Sequence, residues 1–181
     1  MKMRSLLAAT LVISSGIVAA QADDIVVDAS QIASQAVGSK GANCPSSALE
    51  SESDSNKVLW TVEASPEKSF DFGKLEIPLA IEVTPKAVVT LNADVELADQ
   101  SYLEIGLQME DGRYFFANVK ASETAPGRTY EFRLAEMASS DGQPFTGAPA
   151  RLAGVTLMVN SDGSDAAGVS TIGIERVVVS P

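Results

Sequence analysis

The segment Tyr102 to Ala121 constrains the fold most, because apolar and polar side chains alternate along it on both sides of a short acidic turn. Alternation with a period of two is typical of strands that bury one face. A two-residue Asp111-Gly112 turn would set Gln108 opposite Phe115 and mix the two faces. A three-residue loop that begins at Glu110 and takes its left-handed residue from the glycine keeps apolar opposite apolar. The segment therefore predicts a β-hairpin with a defined register.

This register gives the hairpin two unlike faces. One face is predicted to be buried, and it pairs Leu107 with Phe115 and Ile105 with Ala117, with Leu103 and Val119 on the same side. The opposite face combines aromatic, amide and charged side chains, which makes it the best candidate ligand site. Its predicted binding residues are Tyr102, Glu104, Gln108, Tyr114, Phe116, Asn118 and Lys120.

The first 22 residues have the pattern of an export signal. Lys2 and Arg4 precede an apolar run from Leu6 to Ala20, and Ala20-Gln21-Ala22 is a small-x-small cleavage site. The run is too short and too rich in serine for a membrane-spanning helix. We expect cleavage before Asp23, a secreted or periplasmic location, and no insertion into the membrane.

The rest of the chain divides into a lead-in, residues 23–56, and a β-sandwich domain, residues 57–181. Asp24 to Val27 is predicted as a short strand, whereas Ser30 to Asn56 is rich in Ser, Ala, Gly and Glu and shows little periodicity. About eight or nine short strands, frequent turn signals and no convincing amphipathic helix predict an all-β, antiparallel jelly-roll sandwich.

Three more local predictions follow from the strand patterns. Ser69 to Phe72 is predicted as a strand. Pro78 interrupts the strand Leu75 to Val83, which argues for a sheet edge or a bulge because proline cannot donate a ladder hydrogen bond. Trp60 alternates with valines on its own side, so we expect its ring to point into the core.

The net charge and the cysteine content of the chain limit which functions are possible. A formal net charge of −11 repels nucleic acid, so no nucleic-acid partner is expected. Solubility in an external medium is the ordinary explanation of such a charge, and attraction of cations is a second one. Cys44 is the only cysteine, which rules out an internal disulfide and leaves an idle thiol or a bridge between chains.

Histidine is absent from the sequence, which excludes Ser-His-Asp and Cys-His nucleophile systems and the usual zinc and copper sites. We therefore expect a protein that is not an enzyme. The catalytic routes that remain are paired carboxylates, tyrosine or lysine bases, and calcium. Among them, a glycosidase that uses Glu104 with Glu110 or with Asp111 is the named alternative.

An ordered series of features runs from Val88 to the end of the chain: strands Val88 to Val95 and Leu103 to Met109, the turn Glu110-Asp111-Gly112, an aromatic strand Arg113 to Val119, Tyr130 to Leu134, a Pro/Gly loop Phe145 to Pro149, and final strands Leu152 to Val159 and Ile172 to Val177. This order resembles the carbohydrate-binding modules that use the galactose-binding-like jelly roll. The resemblance implies a β-sandwich and a glycan ligand. The last strand of such modules often carries an Asp near the position of Glu175, sometimes as a calcium ligand. Glu175 departs from that Asp, so we expect no cofactor, with structural calcium as the alternative that the resemblance raises.

Sugar binding needs flat aromatic rings and hydrogen-bonding side chains, and the polar hairpin face supplies both. The same residues also suit simple cross-strand stabilisation, with Phe116 covering Gly106 and Tyr114 paired with Gln108. Two hypotheses follow. The protein is an exported, non-catalytic carbohydrate-binding protein with a polysaccharide or glycan partner, or it is an exported structural or interaction subunit with a protein partner. Solvent exposure of Tyr102, Tyr114 and Phe116 would favour the first.

Overall fold

The computed structural model describes residues 23–51, 56–65, 72–161 and 166–181, so the expected export signal and most of the expected strand Ser69 to Phe72 lie outside the described residues. The described residues are mostly β, with one α-helix, α1 (Ala29–Gln35), and two single 3-10 turns. The strands are β1 (Ile25–Asp28), β2 (Val37–Lys40), β3 (Ser46–Ser51), β4 (Val58–Ala64), β5 (Phe72–Val83), β6 (Val88–Glu96), β7 (Ser101–Met109), β8 (Tyr114–Lys120), β9 (Arg128–Arg133), β10 (Ala138–Ser139), β11 (Ala150–Ser161) and β12 (Gly168–Ser180).

These strands form two antiparallel sheets of six strands each. The first sheet has the order β3-β4-β12-β6-β9, with β1 also paired to β12, and the second has the order β10-β8-β7-β11-β5-β2. One cluster of buried side chains lies between the sheets, and its largest members include Trp60, Phe115 and Phe145. The predicted antiparallel β-sandwich is confirmed, although the described residues form twelve strands where about eight or nine were expected.

The hairpin of β7 and β8 has the predicted register. Leu107 pairs with Phe115, and Ile105 pairs with Ala117. The Met109 N–H donates to the carbonyl of Arg113 at 2.9 Å, which closes the three-residue loop. Gly112 supplies the left-handed residue, with φ at +90°. The inner residues are buried as expected, apart from Ala117, which is half-buried against the core.

Two single-residue predictions are also confirmed. Pro78 lies beyond the last residue of β5 that pairs with β2, and the register between β5 and β11 shifts beside it. The missing N–H therefore costs no ladder bond to β2.

Trp60 is 1% exposed, and its Nε1 donates to the Ser47 hydroxyl at 3.0 Å. A buried indole N–H needs such a partner.

The lead-in is more regular than its sequence predicts, and the expectation of no further helix is wrong. Asp28 caps α1, because its carboxylate accepts the Gln31 N–H at 2.9 Å while the Gln31 side chain accepts the Asp28 N–H at 3.0 Å. Strands β2 and β3 lie at the edges of the two sheets, and all of their residues are exposed or half-buried. Edge strands of this kind need no apolar alternation, which explains why the pattern was missed.

Cys44 lies in the lead-in between β2 and β3. Its side chain is 1% exposed, and its Sγ donates to the Ser46 carbonyl at 3.2 Å. A buried thiol cannot reach a second chain without local opening, so the geometry favours the idle thiol over a bridge between chains. Within the described ranges, no helix has the length and apolarity needed to cross a bilayer.

Candidate functional site

The side of the second sheet that points away from the core forms a broad surface, here called the outer face. Successive side chains of a strand point to opposite sides, so every second residue of β8, β7, β11, β5 and β2 lies on this face. The register aligns one row across these five strands: Phe116, Gly106, Thr156, Glu76 and Val37. The outer face therefore joins the hairpin to residues from distant parts of the chain.

All seven predicted binding residues lie on the outer face, where cross-strand pairs join Tyr102 to Lys120, Glu104 to Asn118 and Gln108 to Tyr114. Their burial differs. Asn118 and Lys120 are exposed, Glu104 is buried, and the other four are half-buried. The three aromatic side chains are thus neither fully exposed nor covered.

Tyr114 covers Gly106, which corrects the expectation that Phe116 does so. A Cβ on Gly106 would overlap the Tyr114 hydroxyl oxygen, so the phenol lies directly on the glycine backbone. The two residues are diagonal neighbours, a separation that a long aromatic side chain can span. The prediction from the strand register considered only directly opposed residues, and so it missed this diagonal contact.

A hydrogen bond holds the Tyr114 ring in this position. The Tyr114 hydroxyl donates to Oε1 of Glu104 at 2.9 Å, and Glu104 is only 7% exposed. Burial raises the pKa of Glu104, and the hydrogen bond from Tyr114 opposes this rise in part. Burial and the neighbouring carboxylate raise the pKa of Tyr114, so the phenol stays protonated and remains a donor.

Tyr114 and Phe116 together form what is here called the aromatic platform. Their rings are 22° from parallel, with centroids 6.0 Å apart. Amide groups flank it, since Gln108 lies opposite Tyr114 and Asn118 follows on β8. An apolar surface with polar groups beside it suits a ligand that has both apolar faces and hydroxyl groups.

A depression of about 180 Å³ lies on the outer face next to the aromatic platform. Its side-chain walls come from four strands and include Val37, Glu76, Pro78, Gln108 and Thr156. Thr156 pairs across the strands with Gly106, on which the Tyr114 ring rests, so the depression adjoins the platform. Only Gln108 among these residues was predicted, because no local pattern shows that β11, β5 and β2 lie beside the hairpin.

The outer face of the first sheet carries a larger groove of about 400 Å³. Lys57 lines this groove, and its ammonium group forms ion pairs with the carboxylates of Asp94 and Glu175. Glu175, the position considered for calcium, therefore lies in an ion pair. No group of three His, Cys, Asp or Glu residues in the described parts of the chain could hold a metal ion. The groove has no aromatic residue among its described lining, which makes it the weaker candidate.

The carboxylates considered for glycosidase chemistry are engaged in other contacts. Glu110 pairs with Arg151 at 3.2 Å, and Asp111 pairs with Arg113 at 2.8 Å. The Arg113 guanidinium lowers the pKa of Asp111, which opposes a role as a general acid. The Glu104 carboxylate accepts a hydrogen bond from the Tyr114 hydroxyl on the outer face.

Comparison with known proteins gives structural matches only. No family model matches the chain, and no curated protein matches it. The chain is similar to the family 11 carbohydrate-binding module of the cellulosomal cellulase Lic26A-Cel5E of Clostridium thermocellum, with a TM-score of 0.57 and 11% identity over 88% of this chain and 95% of that chain. A family 11 module from the same organism, in complex with a β-1,3-1,4-mixed-linked tetrasaccharide, has a TM-score of 0.56 and 9% identity over 86% and 94% of the two chains. The likeness concerns the fold, and it confirms the resemblance to carbohydrate-binding-module β-sandwiches.

Proposed function

We propose that this protein is an exported, non-catalytic carbohydrate-binding protein that binds a glycan on the outer face of its second sheet. The observation that carries the proposal is the aromatic platform, in which the rings of Tyr114 and Phe116 are nearly parallel and 6.0 Å apart. The apolar faces of sugar rings pack on such rings, while sugar hydroxyls pair with neighbouring amide and carboxylate groups.

The contacts of Tyr114 support binding because they order the platform before a ligand arrives. The hydroxyl is bonded to Glu104 and the ring rests on Gly106, so the side chain loses little further freedom on binding. A preorganised site avoids part of the entropy cost of association. Exposed Asn118 and Lys120 supply hydrogen-bonding groups around the rings, and half-buried Gln108 adds its amide oxygen.

Export and the absence of catalysis are parts of the same proposal. Export rests on the pattern of residues 1–22, and the net charge of −11 agrees with a soluble exported protein. The lack of histidine and the arginine pairs of Glu110 and Asp111 argue against a catalytic site. The tetrasaccharide bound by one structurally similar module supports a glycan as the ligand class.

Phe116→Ala tests the proposal, because it removes half of the platform without breaking the bond between Tyr114 and Glu104. We expect affinity for the bound glycan to fall about tenfold or more, since one aromatic contact and its buried ring area are lost. Isothermal titration of wild type and variant against a panel of neutral and acidic polysaccharides measures this.

Phe132→Ala is the matched control, since Phe132 is also half-buried but lies on β9 of the first sheet. It should lower thermal stability without lowering glycan affinity. Equal binding by wild type and Phe116→Ala would contradict the proposal, as would a wild type that binds no polysaccharide of the panel.

A protein-interaction subunit is the second candidate, and the edge of the second sheet favours it. All four residues of the edge strand β2 are exposed, and Val37 is 59% exposed. An exposed edge can accept a strand from a partner chain. A wild type that binds no glycan would leave this function as the better explanation.

A further inference from the structure

The depression begins where the aromatic platform ends. The Tyr114 ring rests on Gly106 of β7, whereas Glu76, Thr156 and Val37 around the depression belong to β5, β11 and β2. Neighbouring strands are about 4.8 Å apart, so these three residues lie on strands one to three spacings from β7, about 5 to 14 Å. A single ligand that contacts both must therefore run across the strands.

The size of the depression limits what it can hold. Its volume is about 180 Å³. A protein cavity of about 150 Å³ is large enough for one benzene molecule. The depression therefore matches one six-membered ring and is too small for a chain of rings.

The walls of the depression are of two kinds. Val37 and Pro78 supply apolar surface, whereas Thr156 supplies a hydroxyl and Gln108 its amide oxygen, since the Gln108 Nε2 donates to two backbone carbonyls. The carboxylate of Glu76 also lines it, with Lys74 as its ion-pair partner. A second carboxylate placed there would face Glu76 in a protein of net charge −11, which opposes an acidic sugar. These walls suit a neutral sugar ring.

We propose that the depression is a subsite for one neutral sugar ring of a glycan whose neighbouring ring packs on the aromatic platform. The inference rests on the proposed function and adds to it the direction of the glycan, across the strands from β8 to β2. It also gives Val37, a lead-in residue, a role as one wall of the subsite.

Val37→Glu tests the subsite, because it places a carboxylate on the rim beside Glu76 while the exposed edge position should tolerate the change. Val26→Glu is the matched control, since Val26 is 48% exposed in β1, also a four-residue strand, which belongs to the first sheet. The probes are two length series, mixed-linked β-1,3-1,4 gluco-oligosaccharides and xylo-oligosaccharides, from disaccharide to hexasaccharide, each titrated by calorimetry.

For wild type we expect affinity to rise when the oligosaccharide becomes long enough to reach from the platform into the depression. Val37→Glu should remove that gain, about tenfold, and leave binding of the shorter oligosaccharides unchanged. Val26→Glu should bind every member of the series as wild type does.

The results separate the two proposals. If Phe116→Ala loses binding while Val37→Glu matches wild type at every length, the subsite is wrong and the glycan-binding function stands. If wild type binds neither series, both proposals are wrong for these neutral glycans. Tighter binding of the acidic polysaccharides of the panel than of the neutral ones would overturn the assignment of a neutral sugar.

Discussion

At the scale of single residues, the arrangement of the outer face depends on Tyr114, because three contacts within that face involve the Tyr114 side chain. Its ring rests on Gly106, its hydroxyl bonds to Glu104, and its ring lies beside Phe116. Truncation of Tyr114 would leave a buried carboxylate without its donor, so Tyr114→Ala would mix loss of stability with loss of binding. Substitutions around Tyr114 separate these effects better.

Gly106→Ala should destabilise the protein by about 1–3 kcal/mol, because a Cβ there would displace the Tyr114 ring and weaken its bond to Glu104. Urea denaturation measures the change. Gly38→Ala in β2 is the control, since its Cβ would meet nothing within 4 Å and should change stability little. Equal stability of Gly106→Ala and wild type would show that the Tyr114 ring does not rest on the glycine.

Glu104→Gln tests the buried carboxylate through pH. The pKa of Glu104 is raised above its ordinary value of 4.5, so the unfolded chain releases this proton at lower pH than the folded protein does. The contribution of Glu104 to stability is therefore full below about pH 4.5 and falls as pH rises through the folded pKa.

Glutamine cannot ionise and can still accept the bond from Tyr114. The free energy of unfolding of Glu104→Gln, relative to wild type, should therefore be higher at about pH 7 than at about pH 4. Urea melts at the two pH values measure it. A relative stability that falls as pH rises would mean that the folded protein favours the ionised form of Glu104.

At the scale of elements, the hairpin and the lead-in show opposite degrees of predictability. The hairpin alternates clearly because β7 and β8 bury one whole face, so local pattern and loop length define its register. The lead-in forms edge strands and a seven-residue helix, whose stability comes from Ile32 in the core and from the Asp28 cap. Tertiary contacts of this kind leave almost no periodic signal.

Asp28→Ala should lower the melting temperature by a few degrees, because α1 loses the carboxylate that accepts the Gln31 N–H. Hydrogen bonds from Ser30 and Gln31 lower the pKa of Asp28, so its contribution is present above its ordinary pKa and is lost as pH falls. The effect of the substitution should thus shrink in acid. Asp24→Ala, outside the helix, serves as the control in the same thermal melts and should change little.

At the scale of the whole molecule, the candidate site is assembled from strands that are far apart in the chain. The sheet order sets β11, β5 and β2 beside the hairpin, which brings Thr156, Glu76 and Val37 to the aromatic platform. These residues have no shared motif. The depression that they line therefore has no signature in the sequence.

The sequence by itself determined the all-β class, the core position of Trp60, the hairpin register and the face on which Tyr114 and Phe116 lie. Side-chain alternation and loop length are local, so they can be read from neighbouring residues. Only the tertiary structure decided which strands flank the hairpin and that Tyr114, rather than Phe116, lies on Gly106. Both depend on the packing of the whole sandwich, where a diagonal contact and a bond to buried Glu104 outweigh the directly opposed pair.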